Sequence, residues 1–168
     1  TLRLGYAMTL LVAIAKWIDR AVVVSVFVLL LLMLLITTAG VFWRYILNSA
    51  LSWSEEMGRY LLVWVSFLGA ALATYRGVQI GINAVFDLLP TRVRLWLDRL
   101  VKILIMIFLA AIVVSGIDIL PSVRVRTAPT LLMTMDIPYL IIPISAAIML
   151  FHLFVDVLKG FQGGGQTP

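Results

Sequence analysis

The chain has 168 residues, 63% hydrophobic and 12% charged, with a formal net charge of +5. Soluble domains run near 45–50% apolar and about 25% charged, so this composition excludes an ordinary soluble domain and places the chain in a membrane. There is no cysteine and one histidine, His152, which excludes disulfides, thiolate nucleophiles, cysteine-bound zinc and iron–sulfur clusters, and makes this chain alone a poor haem anchor, since such anchors commonly use paired ligands such as two histidines.

Residues 4–15 are apolar and lie between Arg3 and Lys16. They have the length of a signal-peptide core, but no small-residue cleavage pattern follows them. An interfacial helix over residues 4–18 is expected instead, with Lys16 and Arg20 at its end. Arg20 and Arg44 then bracket 23 uncharged residues, and a bilayer needs about 20. The first span is therefore predicted at 21–43, with Phe42, Trp43 and Tyr45 as an aromatic exit at the interface.

A short polar turn over residues 48–54 leads to Glu55 and Glu56, the only acids between Asp19 and Asp87. Ser52 lies three residues before Glu55, which fits a capping box, and Ser54 is a rival N-cap. Either start puts both carboxylates in the first turn, where the positive end of the helix dipole favours them. Glu55 and Arg59 are four apart, acid first, the better order for an ion pair on one helix face. One reading is a capped helix with its charges in water. The other directs one glutamate sideways into a partner, because ionisable groups at membrane depth are usually paired or functional.

The second span is predicted at 54–75. Sixteen uncharged residues separate Arg59 from Arg76, roughly 24 Å of helix, so Arg59 must lie at the interface. Ser66, Gly69, Ala70, Ala73, Thr74 and Gly77 fall on one stripe at spacings of three and four. Such a stripe lets another helix approach closely, either within the chain's own bundle or in another subunit.

Residues 78–90 mix apolar positions with Gln79, Asn83 and Asp87 and are predicted as a second interfacial helix. Pro90 followed by Thr91 opens the next helix, and Arg92, Arg94, Arg99 and Lys102 gather at one membrane surface. The third span is placed at 100–120, with Asp118 at its far end. Its connection to the fourth span carries Arg124, Arg126 and Thr127, and its later part, 131–135, is apolar enough to return to the membrane surface. The fourth span, 137–158, has Asp136 as N-cap and Pro138 in its first turn. Pro143 is expected to kink it or to end an irregular first turn. His152 reads as an interface residue rather than a ligand. Residues 160–168 are expected to be a disordered tail.

With the N-terminus inside, nine of the 13 Lys and Arg fall on inner segments and four on outer ones. The excess of positive charge on inner segments puts both termini in the cytoplasm and the Glu55 turn outside. The positive charge is accounted for in this way and calls for no nucleic-acid partner. The fold class is all-α and integral to the membrane: one domain over residues 1–159 with four transmembrane helices plus interfacial amphipathic helices.

The order and spacing of Leu51, Trp53, Ser54, Glu55, Glu56, Tyr60, Leu61, Trp64, Phe67, Leu68 and Gly69 resemble the small membrane subunit of tripartite ATP-independent periplasmic (TRAP) transporters. The likeness continues through Arg76, Gly77, Val78, Gln79 and Ile80, through Leu89 and Pro90, and through Ile137, Pro138, Tyr139, Ile142, Pro143 and Ile144. It covers roughly residues 20–158. Gln79 and Asn83 depart from the histidine and acid common in the family.

The resemblance implies a supporting role in the bacterial inner membrane. In that family a larger multi-span subunit carries the substrate and sodium sites and moves as an elevator against a scaffold that includes the small subunit. A soluble periplasmic binding protein delivers the substrate, an organic acid. No catalytic, substrate-binding, metal or cofactor residue is expected in this chain. The candidates for subunit contact or structure are Trp53, Glu55, Glu56, Arg59, Trp64, Gly69 and Ala73, with membrane lipid as a further partner. The candidates for binding-protein docking are Arg124 and Arg126. Two alternatives fit less well. A small four-span exporter needs a glutamate inside the first span, and 21–43 has none; a redox anchor is opposed by the single histidine and the absence of cysteine.

Overall fold

In hydrocarbon every backbone N–H must find its acceptor within the protein, so long apolar segments can cross only as helices or closed barrels. The computed structural model describes residues 2–76 and 91–162. The apolar segments form helices: α1 (Leu2–Ile46), α2 (Ser52–Tyr75), α3 (Thr91–Arg124), the single turn α4 (Asp136–Tyr139) and α5 (Ile141–Gln162). Among the described residues, four stretches are long and apolar enough to cross a membrane: Thr9–Ile46, Ser52–Tyr75, Trp96–Arg124 and Asp136–Leu158. The protein is an all-α integral membrane protein.

Four local expectations are corrected. No break separates an interfacial helix at 4–18 from the first span. Residues 6–39 contain neither Gly nor Pro, so nothing interrupts the helix, and α1 runs 45 residues, about 67 Å. At α2 the capping box does not form. The helix begins at Ser52 itself with Leu51 before it and no side-chain cap, and the Ser54 hydroxyl instead donates to the Leu51 carbonyl at 2.7 Å. Asp136 is likewise not a cap but the first residue of α4, preceded by Met135. The irregular first turn expected before Pro143 is present: Pro143 has no N–H to give the Tyr139 carbonyl, and the chain resumes as a separate helix after Leu140. The last helix also continues to Gln162, past the point where the tail was expected to be disordered. The predicted interfacial helix at 78–90 and the tail beyond 162 lie outside the described residues.

The helices pack in a row, α1 on α2, α2 on α5 and α5 on α3, with lighter contact between α1 and α5. Val22, Leu68 and Ile141 form the buried centre of the first three, flanked by Val26, Trp64, Phe67 and Ile142. Small residues allow the close approaches. A Cβ on Gly116 of α3 would sit 3.2 Å from the Pro143 ring of α5, and one on Gly40 of α1 would sit 2.6 Å from the Ser54 Oγ of α2. At the end near the termini, Lys102 Nζ lies 3.0 Å from Asp98 of its own helix and 2.9 Å from Asp156 of α5, which ties the outer helix of the row to its neighbour.

Candidate functional site

The site is the opposite end of the row, where the α1–α2 turn meets the connection between α3 and α4. Asn48 reverses the chain after α1 with φ of 47°, in the left-handed region that asparagine tolerates. Ser49 N–H returns to the Trp43 carbonyl at 3.2 Å. This tight turn brings the end of α1 beside the start of α2.

Neighbouring helix positions point about 100° apart, so Glu55 and Glu56 face different elements. Glu55 pairs with Arg44 of α1 across the turn, rather than through the spacing shared with Arg59. Both members are more than half exposed, at 51% and 59%. Glu56 is 5% exposed. It accepts the Tyr60 hydroxyl at 2.7 Å, the Thr130 N–H at 2.9 Å and the Thr130 hydroxyl. Tyr60 Oη also lies 3.4 Å from Met135 Sδ.

The segment held by Glu56 is a short hairpin. Ala128 N–H donates to Met133 O at 2.8 Å, Met135 N–H to Arg126 O at 2.9 Å, and Thr127 bridges Thr134 in antiparallel fashion. Ala128 is buried while Leu132, with φ of 52°, is 86% exposed. A bulky side chain in the left-handed region is unusual, because its Cβ crowds the following carbonyl. Met133 of the apolar stretch 131–135 lines a space of about 180 Å³ with Leu29, Trp64 and Ile137, while Leu132 stands away from it.

The other sequence candidates fall in three places. Trp64 packs against the bundle's own core. Trp53 is 40% exposed at the α2 start, and Arg59 lines a lateral groove of about 580 Å³ between α1 and α2 with Arg44 and Glu55. Gly69 has open space where a Cβ would stand, and Ala73 is exposed, as are Ser66 and Ala70. Most of the small-residue stripe is therefore not consumed by the bundle's own packing. Arg124 and Arg126 are exposed, with Arg124 Nε 3.9 Å from Asp136. His152, read as an interface residue, is buried and meets the Tyr75 ring edge-to-face at 4.6 Å. Sequence reading missed Thr130 as a partner of Glu56. A contact across 74 positions leaves no local pattern.

These features define a multi-pass helical membrane protein whose charged side chains join one element to the next near the ends of the row. Residues 33–163 match the family model of the tripartite ATP-independent periplasmic transporters, DctQ component, and the chain belongs to that family. It is a transport family, not an enzyme family, of the inner membrane. The chain is 28% identical over 111 residues to the isethionate TRAP transporter permease protein DctMQ of Oleidesulfovibrio alaskensis, which covers 65% of this chain and 18% of that protein. It is 34% identical over 73 residues to the sialic acid TRAP transporter small permease protein SiaQ of Vibrio cholerae, 44% and 42% of the two chains. A third relative is the C4-dicarboxylate TRAP transporter small permease protein DctQ of Vibrio cholerae, 31% identical over 62 residues, 37% and 27% of the two chains. In each case the match spans less than half of the relative's own length.

Proposed function

We propose that this chain is the small membrane subunit of a sodium-coupled TRAP transporter for an organic acid, acting as a fixed scaffold for a large subunit that carries the substrate. A scaffold has to keep its shape while another body moves against it. The observation that carries the reading is the bracing of the row. Val22, Leu68 and Ile141 pack α1, α2 and α5 together, Gly116 lets α3 close on Pro143 of α5, and the buried Glu56 ties α2 to the hairpin. The exposed pair Arg44–Glu55 and the part-exposed pair Lys102–Asp156 add little. The relatives named for isethionate, sialic acid and C4-dicarboxylates support an organic acid as the substrate class. The excess of Lys and Arg on the segments near the termini supports a cytoplasmic location for both ends. The Glu55–Glu56 end then faces the periplasm, where a soluble binding protein docks, with Arg124 and Arg126 among the contacts. The exposed small-residue stripe of α2 and membrane lipid are further contacts in this reading.

Reconstitution tests it. The purified chain alone should move no organic acid, and uptake should appear only with the large subunit, the binding protein and a sodium gradient. Substrate-dependent uptake by this chain alone would sink the scaffold reading.

A further inference from the structure

The hairpin at residues 126–135 combines three observations. Leu132 is 86% exposed and sits at φ of 52°. Glu56, itself buried, binds both the N–H and the hydroxyl of Thr130 from another helix. Arg124 and Arg126 are exposed at the base. A side chain in a sparsely populated backbone region persists only where its surroundings over-determine it. Here Glu56 and the two backbone bonds of the hairpin supply that constraint.

We propose that Glu56 is a positioning residue for the binding protein: it locks the hairpin so that Leu132 stands out as an apolar anchor, with Arg124 and Arg126 beside it, for an apolar recess with an acidic rim on the soluble partner. This rests on the proposed reading in which a binding protein docks at this end. The occupant follows from where the hairpin sits. Irregular backbone is not exposed to lipid within the hydrocarbon, so the hairpin lies above it, in water, where a bare leucine has no apolar cover. It rests on α2 and α4, with α2 in the middle of the row, so it caps the end of the bundle rather than extending its sides, where a second membrane subunit would lie. The exposed arginines complement carboxylates, and a central apolar anchor inside a charged rim is the usual anatomy of a binding hot spot.

The test is uptake by the assembled complex in proteoliposomes, titrated with binding protein. Leu132→Asp should raise the half-saturating binding-protein concentration by about tenfold, as loss of one anchor does, with maximal rate unchanged, and Glu56→Ala should raise the same half-saturation by a similar factor. Glu56→Gln keeps an acceptor oxygen for Thr130 and should recover most of the loss. If Glu56→Ala fails to assemble, Thr130→Val, which removes only the hydroxyl that Glu56 accepts, should raise the half-saturation in its place. No change in that variant would overturn the positioning role, while Leu132→Asp tests the anchor separately. An unchanged half-saturation in Leu132→Asp would overturn the proposal. So would a fall in maximal rate at unchanged half-saturation, or poorer co-purification of the large subunit, which would place Leu132 against lipid or that subunit. Wild-type uptake that ignores the binding protein altogether would remove the underlying docking reading first.

Discussion

The Glu56 carboxylate near the start of α2 accepts the Thr130 N–H at 2.9 Å, joining positions 74 residues apart. Its neighbour Glu55 turns to Arg44 instead. Two adjacent acids thus hold two different elements, the first helix and the hairpin before the last. They differ in exposure, and so in what their loss costs.

Removing Glu56 breaks three part-buried hydrogen bonds at once, from the Thr130 N–H, the Thr130 hydroxyl and the Tyr60 hydroxyl. A typical hydrogen bond contributes about 0.5–1.5 kcal/mol, and more when the acceptor is charged. Removing Glu55 breaks a pair that is largely in water, where such pairs contribute little. Glu56→Ala should therefore lower the thermal midpoint in detergent by several degrees, and Glu55→Ala by much less. Equal shifts from the two would show that the hairpin is held by other bonds.

Gly116 and Gly69 are both helical glycines, but only Gly116 has a neighbour at its Cβ position. Gly116→Val should destabilise the isolated chain by about 1–3 kcal/mol, the usual cost of overpacking a close helix contact. Gly69→Leu should leave the isolated chain unchanged. If the stripe faces the large subunit, the same substitution should reduce recovery of the complex, and co-purification of the two chains reads this directly.

Lys102 lies between Asp98 and Asp156. A double-mutant cycle on Lys102→Ala and Asp156→Asn should give a coupling of roughly 0.5–1 kcal/mol, because Asp156 is partly in water and such pairs are screened. A coupling near zero would mean that apolar packing alone, including Gly116 against Pro143, holds α3 to α5.

The orientation can be read by labelling. The sequence has no cysteine, so introduced thiols report without background. Ser49→Cys and Ser122→Cys, at exposed positions, should react with an impermeant reagent on intact cells whose outer membrane has been permeabilised. Arg76→Cys, at an exposed position just past the end of α2, should react only after the inner membrane is opened. Labelling of Arg76→Cys from outside would reverse the assignment of the two faces.

The four spans were legible because hydrocarbon imposes one rule on every residue. A run such as 21–43, free of charge between Arg20 and Arg44, has to be a helix of about that length or longer. The family was legible for a similar reason, since the order of Trp53, Glu55, Glu56, Tyr60 and Trp64 within one helix is a local pattern. Helix ends were less so. The capping box at Ser52 and the break before residue 21 were both reasonable from propensity, yet local preferences of about 1 kcal/mol yield to packing. What only the tertiary structure decided is which side chains meet. Glu55 had Arg59 as its helix-spaced candidate, and the tightness of the Asn48 turn selects Arg44 instead. Thr130 as the partner of Glu56 had no signal in sequence, because it lies on a hairpin brought over α2 by helices that pair in the order α1, α2, α5, α3, and that order depends on the shapes of facing surfaces rather than on any single stretch of chain.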